Sequence, residues 1–355
     1  MVSIRVSIQL VYFLVFLSSC AKTSYLWNQG WGQYQLLNRA VENKKLLEDP
    51  QTSREIKSKI QKIERYKKYF YKYWEMEPTG IYSKTTILDQ EAVTYLVIAS
   101  KYDRIRAKEE CFPFMGCFPY LGFFSKKSAE EHAKKLSNGD WETFIRPVYA
   151  YSTLGYFEDT ILSSFFYYEE FGLAELIFHE LFHTLFFIDD EVDLNEALAS
   201  YFSRQMAFNY FSYTTYQKNE KKSLERKLEA LNVSFVKSIK ELNKKLEKSK
   251  VQSKNEANLF RKKFFKQKLM PKMERMCKTL GIEKCFPLIG NWNNARMAAF
   301  MTYQERGGDI AKLHSSLDLN LKEFFVYIKN SKASYDSSDI NGTFSDYLFK
   351  TLIPK

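Results

Sequence analysis

Two histidines four positions apart, with a glutamate beside the first, are the residues of this chain best suited to chemistry. The chain reads HExxH from His179 to His183, and Glu196 follows thirteen positions later in the sequence Asn-Glu-Ala-Leu-Ala. Residues four apart on a helix share a face, so both imidazoles can hold one metal ion. Glu196 supplies a third ligand, and three protein ligands with one open position are typical of catalytic zinc. The pattern predicts one zinc ion per chain, with Glu180 directed at a water.

The alternative interpretation of this segment is a buried helix with two hydrogen-bonded core histidines and a capping glutamate. The chain contains only four histidines, so a chance HExxH pattern is rare. A buried glutamate beside histidines also needs a partner, and a metal ion supplies one. Both observations favour the metal site over the structural interpretation.

The N-terminus has the pattern of an export signal. Arg5 precedes an apolar run at residues 6–17 that is short for a membrane span, and the following Leu-Ser-Ser-Cys resembles a bacterial lipobox. We expect residues 1–19 to be removed and Cys20 to be acylated, which anchors the protein to a lipid bilayer. Ala21, rather than aspartate, follows the cysteine, which favours the outer membrane facing the periplasm. The alternatives are an ordinary secretory signal and an uncleaved anchor.

The four other cysteines form two pairs that are close in sequence. Four cysteines allow three connectivities, and local bridges are the simplest, joining Cys111 to Cys117 and Cys277 to Cys285. An oxidising cell envelope permits such bridges. Metal binding is the alternative, but no histidine lies at ligand spacing beside either pair.

Composition and charge restrict the classes of protein and partner. A chain of 355 residues with 45% hydrophobic and 17% aromatic residues predicts a packed globule. The net charge is +11, and much of the basic excess lies at residues 218–272. This excess is typical of a solvated helical face, with contact to anionic lipids as the alternative. Nucleic acid is excluded as a partner by the absence of a recognised motif and by the expected compartment.

Periodicity predicts an α+β fold that is predominantly α. Apolar residues at spacings of three to five within a Lys/Glu-rich stretch predict a long helical hairpin at about 218–276. Strands and a hairpin before residue 152 predict a small sheet that precedes the HExxH helix. The predicted helices lie at 35–47, 52–74, 128–136, 321–328 and 343–352, the strands at 93–99 and 141–152, and the hairpin at 111–124.

The chain contains no internal repeat and no linker long enough to separate domains. Residues 20–31 are predicted to form a tether. Residues 32–355 are predicted to form a single domain that carries the helical hairpin as an inserted arm.

Several stretches together resemble a bacterial zinc aminopeptidase family of exported HExxH proteins. They are the lipobox and the segments 35–40, 111–122, 150–159, 176–183, 195–196 and 293–296. The resemblance implies a zincin-like core and a zinc-dependent peptide hydrolase that acts as an aminopeptidase. The charged insertion around 218–260 is longer than the family pattern implies.

The resemblance implies a mechanism and a set of residues beyond the metal ligands. Zinc would polarise the scissile carbonyl and acidify a bound water, and Glu180 would pass the proton of that water to the leaving amine. The segment 151–155 follows a strand and precedes the HExxH helix, and such an edge strand would bind the peptide backbone of the substrate, as in zincins generally. The candidates for oxyanion or substrate contacts are Tyr151, Ser152, Thr153, Gly155, Arg296, Tyr303 and His314.

An aminopeptidase also needs a carboxylate that binds the α-amine of its substrate. Glu158, Asp159 and Glu175 precede the first metal ligand, and the sequence does not select one of them. Two other function classes remain open at this stage, a metal-storing lipoprotein without catalysis and a structural envelope protein whose arm binds a partner. Glu180 argues against storage, because a storage site needs no general base.

Overall fold

The structure is a computed structural model that describes residues 20–112, 116–150, 158–302, 307–338 and 342–352. Helices dominate these ranges and the strands form only small sheets, so the predicted α+β class with a predominance of helix is confirmed. No helix in these ranges is both long enough and apolar enough to cross a lipid bilayer.

The first part of the chain is more helical than the sequence indicates. Helix α1 begins at Cys20, so the residues predicted to form a tether lie within it. The single helix predicted at 35–47 is wrong at its start, because α1 already includes residue 35, and in its middle, because α1 ends at Asn38 and a short strand precedes α2; the predicted end lies one residue from the end of α2 at Glu48. The N-terminal helices are α1 (Cys20–Asn38), α2 (Asn43–Glu48) and α3 (Arg54–Trp74).

In the described ranges, eight strands form two three-stranded sheets and a hairpin. In the first sheet β2 pairs antiparallel with β1 and parallel with β8, and in the second β3 pairs antiparallel with β6 and β7. The hairpin consists of β4 and β5. The strands are β1 (Val41–Glu42), β2 (Lys84–Thr86), β3 (Thr94–Lys101), β4 (Glu110–Phe112), β5 (Gly116–Phe118), β6 (Leu121–Phe123), β7 (Trp141–Val148) and β8 (Ile161–Leu162).

The small sheet predicted before the HExxH helix is formed chiefly by the long strands β3 and β7, which pair along their whole length. Helix α4 (Lys126–Ser137) covers this sheet, and its buried Ala129 and Ala133 pack against Tyr95 and Val97 of β3. Strand β8 and a short 3-10 turn at Ser163–Tyr167 then lead directly into the HExxH helix.

The main hydrophobic core surrounds the helix that carries HExxH. This helix, α5 (Glu170–Leu185), packs against α6 (Val192–Tyr210) and α3. Its apolar residues are buried on nearly every side, which is typical of a helix inside a core rather than on a surface. The fully buried aromatic residues Phe178 and Phe182 flank the histidines and fix α5 against its neighbours.

The long helical hairpin predicted for the basic stretch is present. It consists of α7 (Thr215–Ser249), a turn at 250–253, α8 (Lys254–Phe264), a π-helical turn (Phe265–Leu269) and α9 (Met270–Leu280). Thr214 and Gln217 form a capping box at the start of α7. The inner face of the helical hairpin packs with Met273 and Trp292 in a second hydrophobic core. The residues of α7 that are buried on this face are Leu231, Phe235, Ile239, Leu242 and Leu246.

Two disulfides join the cysteine pairs that are close in sequence. Cys111 is bonded to Cys117 across the β4–β5 hairpin. Cys277, which lies in α9, is bonded to Cys285, which follows the end of that helix. These are the local pairings that the sequence favours. The last helices are α10 (Asn294–Thr302), α11 (Gly307–Leu317), α12 (Leu321–Asp336) and α13 (Phe344–Leu352).

Candidate metal centre

The two packed helices α5 and α6 bring the three predicted metal ligands together. His179 and His183 lie one turn apart on α5, and Glu196 lies in the second turn of α6. The loop between the helices is fixed by Asn195, whose buried amide donates to the carbonyl of Ile188 at 2.7 Å and accepts from its N–H at 2.9 Å. Because Asn195 precedes Glu196 directly, these two hydrogen bonds also hold the glutamate in position.

The donor atoms of the triad converge on one point. The Nε2 atoms of His179 and His183 are 3.1 Å apart, and the carboxylate oxygens of Glu196 lie 3.2 Å and 3.3 Å from them. Tetrahedral zinc with bonds of about 2.0–2.1 Å spaces its ligands about 3.3–3.4 Å apart. Two imidazole nitrogens and a carboxylate are also the donor types that zinc prefers. The chemistry and the spacing of this triad therefore fit a zinc ion.

The surroundings of the triad set the charge of its members. Hydrogen bonds from His179 and His183 hold the pKa of Glu196 well below its usual range, so this carboxylate is ionised, as a ligand must be. Burial lowers the pKa of His179, but the hydrogen bond to Glu196 and the charge of Glu180 outweigh it, and the net shift is upward. A site with this much negative charge favours a cation.

The outer nitrogens of the two imidazoles have different environments. Nδ1 of His179 lies 3.4 Å from the hydroxyl of Ser200, which holds the ring with Nε2 directed at Glu196. His183 is almost completely buried, and its Nδ1 has no hydrogen-bond partner among the residues that the structure describes. Ser200 lies four residues after Glu196 on α6, so helical spacing alone would have indicated that it faces the site.

Glu180 lies beside the triad and is not one of its members. Burial raises the pKa of its carboxyl group, the nearby histidines lower it, and the charges of Glu196 and Asp159 raise it again, with a net upward shift. A carboxylate with a raised pKa next to three candidate metal ligands is a candidate general base.

Two tyrosines that the sequence does not indicate lie in the electrostatic environment of Glu180. Burial, and after it the charge of Glu180, raises the pKa of Tyr82 well above its usual value, and the same two causes raise the pKa of Tyr168. The hydroxyl of Tyr82 is buried without a hydrogen-bond partner in the described part of the chain. The separation of about one hundred residues between Tyr82 and Glu180 explains why no local pattern reveals it.

The backbone at Tyr82 has a conformation that is uncommon for a tyrosine, with φ at 58°. Two contacts hold it there. The N–H of Tyr82 donates to the carbonyl of Asp159 at 2.7 Å, and its own carbonyl accepts from the buried amide of Asn43 at 2.9 Å. Tyr82 and Asp159 are thereby fixed to each other next to the general-base candidate.

A family model described as "Putative aminopeptidase" matches residues 24–338 of this chain. The match covers most of the 355 residues, including helices α5 and α6 and the helical arm. The chain belongs to this aminopeptidase family. The family resemblance inferred from the sequence is thus confirmed. No curated protein and no solved structure matches the chain.

Several residues predicted to contact substrate in this aminopeptidase-family chain lie outside the residues that the structure describes. Tyr151, Ser152, Thr153 and Gly155 lie in the segment 151–157, and Tyr303 lies in 303–306, neither of which is among the described residues. Their predicted contacts with substrate or oxyanion stay predictions.

The structure places His314 and Arg296 in packing roles. Nε2 of His314 donates to the carbonyl of Leu319 at 2.7 Å, so its Nδ1 accepts from the hydroxyl of Tyr201 at 2.6 Å, and both ring nitrogens are occupied. Arg296 lies over the ring of Trp292, 4.4 Å from its centroid, and donates to the carbonyl of Asn291. Within the described ranges, no hydrogen bond or ion pair joins either residue to the triad.

The segment 293–296 lies where the second sheet, the helical arm and α10 meet. Asn294 is fully buried, and its amide donates to the carbonyls of Lys101, Tyr102 and Arg104 at the end of β3. Its N–H donates to Glu142 of β7, which is also paired with Arg261 of the arm. These contacts join the sheet, the arm and α10.

Proposed function

We propose that this chain is a zinc-dependent peptide hydrolase that acts as an aminopeptidase. The observation that carries the proposal is the convergence of His179, His183 and Glu196, whose nearest donor atoms lie 3.1–3.3 Å apart in each pair, beside the separate, half-buried carboxylate of Glu180. Membership of the aminopeptidase family supports peptide hydrolysis as the reaction. His179, His183 and Glu196 would hold the zinc ion.

A zinc ion held here would supply Lewis-acid chemistry, by lowering the pKa of a water and polarising the scissile carbonyl. Glu180 would serve as the general base, taking a proton from the attacking water and giving it to the leaving amine. The raised pKa of its carboxyl group brings its basicity closer to that needed at neutral pH. Ser200 orients His179, and Asn195 keeps Glu196 next to both histidines.

Asp159 is the best placed of the three acidic candidates to bind the α-amine of a peptide. Glu175 is paired with Arg204 at 2.7 Å, and Arg204 also bridges to Glu225 of the arm. Glu158 is exposed, whereas Asp159 is almost completely buried and its charge acts on both Glu180 and Tyr82. A carboxylate close to the general base can form a charge-assisted hydrogen bond with a protonated amine.

The amine-anchor role predicts a selective loss in the Asp159→Asn variant. Hydrogen bonds to charged groups are worth about 1.5–3 kcal/mol, so kcat/KM should fall about 10- to 150-fold for peptides with a free amino terminus. The measurement compares each peptide with its N-acetylated form. Glu158→Gln is the matched control and should retain activity on the free peptides. Equal losses on free and acetylated peptides, or none on either, would remove Asp159 from this role.

The lipobox-like sequence at the N-terminus bears on where the protein is located. We infer that acyl chains on Cys20 anchor the protein to the membrane of the bacterial cell envelope, as the lipobox-like sequence indicates. In cells supplied with labelled palmitate, the full chain should carry the label and fractionate with membranes, and Cys20→Ala should lose the label. An unlabelled wild-type protein would contradict the acylation.

A further inference from the structure

Helix α1 has an inner face that is firmly packed on the rest of the protein. The hydroxyl of Tyr25 donates to the carbonyl of Gly122 at 2.9 Å, and its ring stacks on Phe112 at a centroid distance of 5.6 Å. Gly32 approaches Phe124 so closely that a Cβ atom would overlap with that ring. Leu36 is buried one turn later. The orientation of α1 is therefore fixed by its inner face.

The outer face of α1 is aromatic and almost uncharged. Trp27, Trp31 and Tyr34 follow each other at spacings of four and three, and their exposed fractions are 74%, 52% and 57%. Leu26 beside them is 42% exposed. A surface helix of a globular protein normally presents charged residues on its outer face. Residues 20–38 contain no acidic residue, and Lys22 is their only basic one.

This outer face differs from other exposed apolar side chains of the protein. Tyr167 and Tyr216 are also strongly exposed, but they lie on separate elements, and single exposed apolar residues are normal on protein surfaces. On α1 the exposed rings lie on one face of one helix, and those of Trp31 and Tyr34 stack at 5.4 Å. Such an aromatic stripe indicates a binding surface.

We propose that the outer face of α1, formed by Leu26, Trp27, Trp31 and Tyr34, lies in the interfacial region of a lipid bilayer. This inference rests on the proposed membrane attachment of the N-terminus and is independent of the peptidase activity. The amphipathic rings of Trp and Tyr favour the level of the lipid headgroups, where one end is apolar and the other is hydrated.

The chain before α1 identifies the bilayer as the occupant of this face. The apolar run at residues 6–17 ends just before Cys20, the first residue of the helix. With a rise of about 1.5 Å per residue, Trp27 lies only about 10 Å along the helix from Cys20. Acyl chains on Cys20, or the apolar run itself, would therefore hold these rings within reach of the membrane. The aromatic face would add a second contact with the bilayer beside the acyl anchor.

Quenching of tryptophan fluorescence tests this contact directly. The full chain is reconstituted in phospholipid vesicles with brominated acyl chains, which quench only tryptophans in contact with lipid. Of the five tryptophans, Trp27 and Trp31 are on the outer face, and the other three lie in α3, β7 and the second core. Brominated lipid should quench the wild type, and the Trp27→Phe/Trp31→Phe variant should lose most of that quenching. The matched control Trp141→Phe should keep it.

Iodide, which stays in the water phase, provides the opposing measurement. If the outer face lies in lipid, iodide should quench the wild type and the double variant to similar extents on vesicles. The proposal is overturned if brominated lipid fails to quench while iodide quenches the wild type more strongly than the double variant. It is also overturned if the full chain does not float with the vesicles. Peptide hydrolysis is measured separately, so neither outcome bears on the proposed peptidase.

Discussion

Replacing Glu180 by glutamine is expected to leave zinc bound and to lower peptide hydrolysis about 10²- to 10⁴-fold, the usual contribution of a positioned acid–base group. Zinc remains because the donor atoms of His179, His183 and Glu196 converge without any contribution from Glu180. The amide of glutamine keeps the shape of the side chain but cannot accept the proton. Zinc content by metal analysis and turnover of a free peptide are measured on the same preparation.

The Glu196→Gln variant is the matched comparison, because it makes the same chemical change on the other carboxylate. A neutral amide is a weaker ligand than the ionised carboxylate of Glu196, so this variant should lose zinc affinity first and activity as a consequence. Added zinc should partly restore Glu196→Gln and leave Glu180→Gln inactive. Equal loss of zinc in both variants would show that Glu180 is a ligand or a structural residue, and the proposed mechanism would then be wrong.

The triad could be predicted from the sequence because its geometry is mostly local. His179 and His183 belong to one helix, where a spacing of four fixes their common face. Glu196 belongs to the next helix along the chain. Because the loop between α5 and α6 is short, the two helices pack side by side. The two disulfides have the same local character, with separations of six and eight residues.

The environment of Glu180 could not be predicted in this way. Tyr82 and Asp159 reach the site through the parallel pairing of β2 with β8, which brings together residues far apart in the chain. These two strands have only three and two residues, too few to produce a periodic pattern. Long-range pairing of such short strands is decided by tertiary packing rather than by local sequence.

Residue type alone suggested chemistry for His314 and Arg296, which stays a prediction; the contacts that the structure shows for both residues are packing contacts. The ring of His314 stacks on Phe324, with centroids 4.2 Å apart. Its two hydrogen bonds satisfy both ring nitrogens. Helix α1 is the opposite case, because Gly30 and Gly32 weaken its helical pattern in sequence. Packing of its inner face on the sheet outweighs that weakness.

Loss of one imidazole should abolish zinc binding, and this is the second large effect. His183 is almost completely buried, so His183→Ala removes one of the three candidate ligands from the one group of at least three metal-binding side chains found among the described residues. His132→Ala is the matched control. His132 packs against Phe123 beside the small sheet and is not part of the triad, so this variant should keep its zinc.

The zinc content of purified wild type, His183→Ala and His132→Ala is the measurement that tests the metal centre most directly. The proposed site predicts about one zinc ion per chain in the wild type and in His132→Ala, and essentially none in His183→Ala. Folding of each variant is checked by circular dichroism, so that loss of metal is not confused with loss of structure. A folded His183→Ala protein that retains a full equivalent of zinc would contradict the three-ligand site.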